Sequence, residues 1–234
     1  LRQMEIFGED TWFRIGDRDT ATHLTRTNML KNGKSLSQIT RWMCEKFAIE
    51  LKVIPVTDNT ISTRITTNKG KLHLQEYWVK YRGMDAVEGI EYEGIEKARP
   101  NPEAISAIHD SELVIIAPGN PLTSIGPMMM MKGIRKELSK NKRKVVAISP
   151  IIGDKAVSGP AGKYMEAAGL EVSAYGVAKW YAEVCSKLVI DTRDRMQTKK
   201  IESLNLSVYD TKIKMMNKKD EDALASFLLK QIRV

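Results

Sequence analysis

The second half of the chain contains short, uninterrupted runs of apolar residues. They are residues 113–117 (LVIIA), 145–149 (VVAIS) and 188–190 (LVI), with 206–209 (LSVY) as a weaker fourth run. Such runs are typical of a parallel sheet buried on both faces, because a sheet with one solvated face alternates apolar and polar positions. Helix-like segments lie between most of them. The pattern predicts a single α/β domain over residues 1–234, with a mainly parallel sheet covered by helices.

The first half of the chain predicts more varied elements. A helix is predicted over residues 20–30, and a second one after Ser35, whose hydroxyl suits a helix N-cap. Residues 51–56 (LKVIPV) predict a strand. The segments TRITT and KLHLQ, joined by NKG, predict a β-hairpin. We predict that residues 60–101, which include this hairpin, form a small peripheral insertion.

The composition is that of an ordinary globular protein, with 42% hydrophobic and 28% charged residues in 234. No apolar run approaches the ~20 residues of a membrane-spanning helix, so no membrane partner is expected. Cys44 and Cys185 lie far apart, and neither has a histidine or cysteine at metal-ligand spacing. A disulfide and a structural zinc site are therefore not expected, and a reducing cytoplasm is predicted.

The net charge of +8 makes nucleic acid a partner to consider. Seven lysine and arginine residues lie between positions 132 and 144, but no aromatic residue accompanies them. That pattern is typical of the solvated face of a helix. A nucleotide or another small phosphorylated molecule is the favoured partner, and a nucleic-acid-binding protein remains an alternative.

Polar loops follow three of the predicted strands. PGNPLTSIGP follows residues 113–117, PIIGDKAVSGPAG follows 145–149, and DTRDR follows 188–190. Ligands of open α/β sheets bind outside the carboxyl ends of the strands, and glycines let backbone N–H groups approach a phosphate. The same residue types also build ordinary turns, which is the structural alternative for each loop.

The stretch FRIGDRDTATH (13–23) concentrates charge around one glycine. Two carboxylates and two guanidinium groups lie within six residues. The stretch could form one wall of a site that handles phosphate. It could equally form an internal ion-pair network, or cap the helix that follows it.

Three motifs together resemble the 2-phospho-L-lactate transferase family, which makes the deazaflavin coenzyme F-420 in archaea and actinobacteria. They are WFRIGDRDTATHLTRT, IAPGNPLTSIGP and SPIIGDKAVSGPAGKYM, and the similarity runs from about Trp12 to Arg195. The resemblance implies a Rossmann-like three-layer fold, a magnesium requirement and a homodimer. It also implies a reaction in which the ribityl hydroxyl of the deazaflavin Fo attacks the lactate-bearing phosphorus of lactyl-2-diphospho-5'-guanosine, releasing GMP.

The resemblance also implies roles for particular residues. It implies catalytic roles for Asp17, Arg18 and Asp19, and contacts to Fo for Arg14 and His23. It places eight residues on the guanosine diphosphate side: Gly119, Asn120, Pro121, Ser124, Ser149, Pro150, Ser158 and Gly159. Whether the donor carries lactate or phosphoenolpyruvate is left open.

The sequence departs from the family pattern in three ways. Gly119 stands where serine is frequent, and Asp154 where glycine is common. Family members begin with a strand and a GGTG-like loop, followed by aspartates expected to hold magnesium, and this segment is not present before Leu1. The chain is therefore expected to be a fragment of a longer one. A non-catalytic regulatory protein of the same superfamily, binding a nucleotide sugar, is the alternative function.

Overall fold

A computed structural model describes residues 2–157 and 159–232. The α-helices of these residues are α1 (Arg2–Ile6), α2 (Asp17–Lys31), α3 (Leu36–Lys46), α4 (Pro102–Asp110), α5 (Gly126–Met129), α6 (Lys132–Lys140), α7 (Ala161–Ala167), α8 (Ala174–Tyr181), α9 (Thr198–Glu202) and α10 (Lys218–Gln231). The strands are β1 (Ser62–Thr67), β2 (Gly70–His73), β3 (Gly89–Glu93), β4 (Val114–Ile116), β5 (Val145–Ile148), β6 (Ile151–Ile152), β7 (Lys155–Ala156), β8 (Lys187–Asp191) and β9 (Ser207–Thr211). Glu76–Lys80 forms a π-helical turn.

The main sheet is parallel and has the order β4-β5-β8-β9. The four strands correspond to the four apolar runs of the sequence. All four residues of β5 are buried, because helices cover both faces of the sheet. The prediction of an α/β fold with a mainly parallel sheet is confirmed.

Alternate residues of β5 pack against different helical layers. Val145 and Ala147 belong to the larger apolar cluster, which includes residues of α6, α7 and α8. Val146 and Ile148 belong to a second cluster, which contains Leu224 and Leu228 of α10. Successive side chains of a strand point to opposite faces, so the two clusters lie on the two sides of the sheet. The predicted three-layer arrangement is thereby confirmed.

A small antiparallel sheet of order β2-β1-β3 lies in the region predicted as a peripheral insertion. The predicted hairpin is present, with Arg64 opposite His73 and Thr67 opposite Gly70. Ile65 of β1 and Tyr77 are fully buried in the larger apolar cluster, so this sheet packs against the main core. The boundaries of the domain and of the insertion stay predictions.

Two expectations about local structure need revision. The strand predicted over residues 51–56 is wrong, since this segment pairs with no described strand. Leu51 and Val53 are exposed, and Pro55 has no N–H to donate to a ladder. The first predicted helix begins at Asp17, three residues before the predicted position, and the second has Ser35 as its N-cap with a full capping box. None of the described helices has the length and hydrophobicity needed to cross a bilayer.

Candidate functional site

A cleft of about 420 Å³ opens at the carboxyl edge of the main sheet. This volume is in the range of small-molecule binding sites. The loops that follow β4, β5 and β9 contribute to its lining. Six residues that the sequence assigns to nucleotide binding line this one cleft: Gly119, Asn120, Ser124, Ser149, Pro150 and Gly159. Segments distant in the chain therefore meet here, as expected for the carboxyl ends of parallel strands.

The loop after β4 is shaped by the side chain of Asn120. Its Oδ1 atom accepts hydrogen bonds from the N–H groups of Leu122 (3.0 Å) and Thr123 (3.2 Å). The amide oxygen of Asn120 is thus used within the loop, which leaves its NH2 group as the hydrogen-bonding group available to a ligand. Pro121 is buried behind this surface and is not among the lining residues.

The loop after β5 begins with a buried serine. Ser149 Oγ donates to the carbonyl of Ile151 (3.0 Å) and accepts from the Ile151 N–H (3.1 Å). These bonds hold the turn that leads into β6, so the hydroxyl of Ser149 shapes the cleft from within the chain. Gly159 has a φ of +67°, a conformation that favours glycine. Ser158, also predicted to bind the nucleotide, lies outside the described residues.

The small antiparallel sheet holds the first of these loops in place. Tyr92 of β3 donates a hydrogen bond to the carbonyl oxygen of Leu122. Burial raises the pKa of the Tyr92 hydroxyl to about 12, so it carries its proton at neutral pH and remains a donor. This bond joins the region predicted as an insertion to the polar loop of the cleft.

The two carboxylates of the DTRDR segment, at the end of β8, are buried and bond within the protein. Asp191 accepts hydrogen bonds from the side chain of Arg193 (2.6 Å) and from the N–H of Ile213 (3.3 Å), and Ile213 lines the cleft. Burial alone would raise the pKa of Asp191, but these hydrogen bonds lower it overall. Asp194 is also buried, and both its carboxylate oxygens accept from the Gly153 N–H. These two carboxylates position loops of the cleft.

Five residues of the cleft lining lie outside the motifs and loops that the sequence marks as functional: Leu74, Gln75, Trp78, Ile213 and Met215. The first three precede or belong to the π-helical turn, in the region 60–101 that the sequence predicts only as a peripheral insertion. Neither spacing nor residue type signals that this stretch reaches the cleft. Only the packing of the small sheet against the main core brings it there.

Residues 14–23 lie elsewhere on the surface. Asp17, Arg18, Asp19 and His23 belong to the first two turns of α2 and are exposed, as is Arg14 before it. Arg18 and Asp19 line a groove between α2 and α3, together with Trp42, Met43 and Phe47 of the second helix and its end. None of the described residues that line the cleft comes from residues 14–23. The structure therefore does not bring the two predicted halves of the site together.

One contact links the segment before α2 to the wall of the cleft. Lys80 Nζ lies 5.8 Å from the ring centroid of Trp12, and Lys80 ends the π-helical turn that carries Trp78. The charged groups that follow are not engaged in an internal network. Within residues 2–157 and 159–232, no ion pair involves Asp17, Arg18 or Asp19, and Gly16 caps α2 without a side-chain hydrogen bond. Acidic residues in the first turn still suit the positive end of the helix dipole.

The magnesium that the resemblance implies needs oxygen ligands. In the described part of the chain, no group of three or more His, Cys, Asp or Glu side chains is placed to hold a metal ion. Magnesium typically binds one or two carboxylates together with substrate phosphates. Because no group of three or more ligand side chains is present among the described residues, no step of the mechanism below is assigned to the metal.

Comparison with known proteins gives the family. The family model described as 2-phospho-L-lactate transferase CofD matches residues 5–228. The chain belongs to the 2-phospho-L-lactate transferase family. This match includes all three loops of the cleft, and it confirms the resemblance seen in the sequence motifs.

Curated relatives carry the same family name. The 2-phospho-L-lactate transferase of Methanosarcina mazei is 42% identical over 193 residues, which cover 82% of this chain and 63% of that protein. That of Methanocaldococcus jannaschii is 43% identical over 203 residues, covering 85% and 65%. That of Methanosarcina acetivorans is 38% identical over 227 residues, covering 97% and 73%. The chain thus spans about two thirds of the length of these relatives.

Solved structures support the fold. The crystal structure of protein BH3568 from Bacillus halodurans has a TM-score of 0.61 with this chain at 13% identity, and it covers 87% of this chain and 70% of its own. A second crystal structure of the same protein, described as a member of the UPF0052 family, has a TM-score of 0.61 and covers 84% and 69%. At this identity, the likeness concerns the fold.

The Tyr92 hydrogen bond gives a first prediction. Tyr92→Phe leaves the Leu122 carbonyl without this partner, so we expect the free energy of unfolding to fall by about 1 kcal/mol. Urea denaturation followed by circular dichroism measures it. Tyr81→Phe is the matched control, because Tyr81 is exposed and its hydroxyl bonds to no described residue. Equal stability of the two variants would contradict this role of Tyr92.

The lowered pKa of Asp191 gives a second prediction. A carboxyl group whose pKa is lower in the folded than in the unfolded state stabilises the fold above its unfolded pKa of about 3.9, and less as the pH falls below it. We expect Asp191→Asn to lower the free energy of unfolding by about 2 kcal/mol at pH 7. The difference from wild type should shrink below about pH 4. The exposed Asp154→Asn is the control, and a difference that stays constant from pH 7 to pH 3 would refute the assignment.

Proposed function

We propose that this chain carries the activity of its family. In this proposal it transfers the phospholactyl group of lactyl-2-diphospho-5'-guanosine to the deazaflavin Fo and releases GMP. The observation that carries the proposal is the convergence of two family motifs, IAPGNPLTSIGP and SPIIGDKAVSGPAGKYM, on one cleft at the carboxyl edge of the sheet. The family match over residues 5–228 supports it.

The reaction exchanges one phosphorus–oxygen bond for another. The terminal ribityl oxygen of Fo forms a bond to the lactate-bearing phosphorus, while the bond from that phosphorus to the bridging oxygen of GMP breaks. The hydroxyl proton passes to a base, and GMP leaves with the bridging oxygen. Such transfers depend on positioning and on charge neutralisation more than on covalent catalysis.

The cleft would hold the guanosine diphosphate part of the donor. Gly119 leaves the chain after β4 without a side chain, so a phosphate can approach the backbone closely. The NH2 group of Asn120 can donate to the nucleotide. Ser149 and Pro150 would contribute through the shape of the turn, since the Ser149 hydroxyl is satisfied by Ile151.

The Fo side is assigned to the segment 14–23 on the strength of the resemblance. Arg14 or Arg18 would neutralise charge on the diphosphate, and Asp17 or Asp19 would orient an arginine or accept the hydroxyl proton. Their exposure, and the lack of ion pairs at Asp17, Arg18 and Asp19 within the described structure, are consistent with side chains available to a ligand. Arg18 and Asp19 line the groove between α2 and α3, which is separate from the cleft. The magnesium requirement, the homodimer and the cytoplasmic location likewise stay predictions.

Turnover is the direct test. The chain is incubated with Fo, Mg²⁺ and lactyl-2-diphospho-5'-guanosine, and released GMP is measured by chromatography. We expect GMP to appear only when Fo is present, since the deazaflavin is the acceptor. The M. mazei relative, assayed in parallel, is the control for the reagents. Nucleotide binding without GMP release, while that control is active, would favour the regulatory alternative instead.

Two substitutions test the Fo side. We expect Asp17→Asn and Arg14→Ala each to lower kcat/KM by about 100-fold or more, because each would remove a group acting on the transition state. Lys31→Ala, an exposed side chain in the last turn of the same helix and outside the motif, is the control. Near-normal kinetics in both motif variants would remove residues 14–23 from the reaction, and would leave the assignment of the cleft in place.

A further inference from the structure

Trp78 is an aromatic residue of the cleft lining that no role described so far uses. The side chain lines the cleft beside Gly119 and Asn120, and 42% of its surface is exposed. Among the described residues of the lining, the only other aromatic one is Tyr164, which is 1% exposed. Trp78 is therefore the ring of this cleft that a ligand can cover.

The indole ring of Trp78 packs closely against a glycine. Gly83 has a φ of +58°, and a Cβ atom placed there would lie 2.8 Å from Trp78 Cε3. Any larger residue would therefore displace the ring. The close packing of Gly83 against the ring limits movement of the ring toward this turn.

The turn that supports the ring is itself fastened to the floor of the cleft. The carbonyl of Gly83 accepts hydrogen bonds from Lys163 Nζ of α7 (2.6 Å) and from the buried Tyr77 hydroxyl (3.1 Å). Helix α7 also contributes Ala161 and Tyr164 to the cleft lining. Trp78 is thus held in a fixed position relative to the loops that carry the predicted nucleotide-binding residues.

A ligand that contains a planar heterocycle needs an exposed aromatic surface in addition to the polar groups of the cleft. The glycines, Asn120 and the serine loops offer polar and backbone groups, which suit phosphate and sugar. A fused heterocyclic ring needs an apolar planar surface, and stacking on tryptophan is a common means of providing one. Leu74 and Met215 line the same cleft and add apolar contact around a stacked ring.

We propose that Trp78 is the stacking platform for the planar heterocycle of a substrate, and we assign that heterocycle to the guanine of the donor. The inference rests on the proposed function, because it takes the ligand of the cleft to be a guanosine diphosphate. The deazaflavin ring of Fo shares the same chemistry, so the experiment measures both. Trp78 is a positioning residue in this assignment, since it contacts the base and not the reacting phosphorus.

Calorimetric titrations with GDP and with Fo test the proposal on the whole chain. We expect Trp78→Ala to weaken GDP binding at least tenfold. Trp78→Phe should keep the affinity within about threefold, because it retains an aromatic face. Tyr81→Ala is the matched control, since it removes an exposed aromatic side chain three residues away that does not line the cleft. Thermal unfolding of each variant verifies that the fold is kept.

Tryptophan fluorescence supplies an independent reading. GDP should quench the emission of the wild-type chain, and Trp78→Phe should bind GDP without this quenching, because the other tryptophans, Trp12, Trp42 and Trp180, do not line the cleft. If Trp78 only stabilised the fold, GDP would not quench its emission, and Trp78→Phe would not lose the quenching while it still bound GDP.

Each outcome decides between the possibilities. Loss of GDP affinity alone assigns the platform to guanine, and loss of Fo affinity alone assigns it to the deazaflavin. Trp78→Ala binding both ligands as tightly as Tyr81→Ala would overturn the proposal and leave the proposed function standing. A wild-type chain that binds neither GDP nor Fo would overturn the proposed function, and this inference with it.

Discussion

Burial of the parallel sheet on both faces is the constraint from which the site follows. β5 has no exposed residue, and helices on either side pack against its alternate side chains. Polar groups cannot be accommodated within such strands without hydrogen-bond partners. The chain can therefore present polar chemistry only where the strands end, and the loops after β4 and β5 do so at a common edge. The position of the cleft therefore follows from the burial of both faces of the sheet by helices.

The small antiparallel sheet and the π-helical turn next to it form one wall of the cleft at that edge. Tyr92 fastens the sheet to the loop after β4, and Lys163 fastens α7 to the turn at Gly83. The π-helical turn between β2 and β3 carries Trp78 to the rim. What looks in the sequence like a peripheral addition is thus part of the site, because its core residues Ile65 and Tyr77 are shared with the main apolar cluster.

The two buried carboxylates, Asp191 and Asp194, show that charged residues at a strand end need not contact a ligand. Asp191 and Asp194 lie in a motif rich in Asp and Arg at a strand end, where a ligand contact would be unsurprising. Their oxygens instead accept hydrogen bonds from Ile213, Arg193 and Gly153. They act on the cleft indirectly, by fixing the loops that line it. The GDRD segment differs, since its charged groups make no ion pair within the described structure, and Arg18 and Asp19 line a separate groove.

The sequence by itself determined the parallel sheet, helices α2 and α3, the helices between most of the apolar runs, and the family. Continuous apolar runs require burial on two faces, and Ser35 with Gln38 specifies a helix start through local hydrogen bonds. Motif matching identified residues of the cleft loops, such as Asn120. The extended segment 51–56 was mispredicted, because apolar composition cannot tell a paired strand from an unpaired one. Only the tertiary structure decided that Trp78 lines the cleft and that α2 lies apart from it. Both depend on contacts between segments distant in the chain, and no local sequence pattern encodes such contacts.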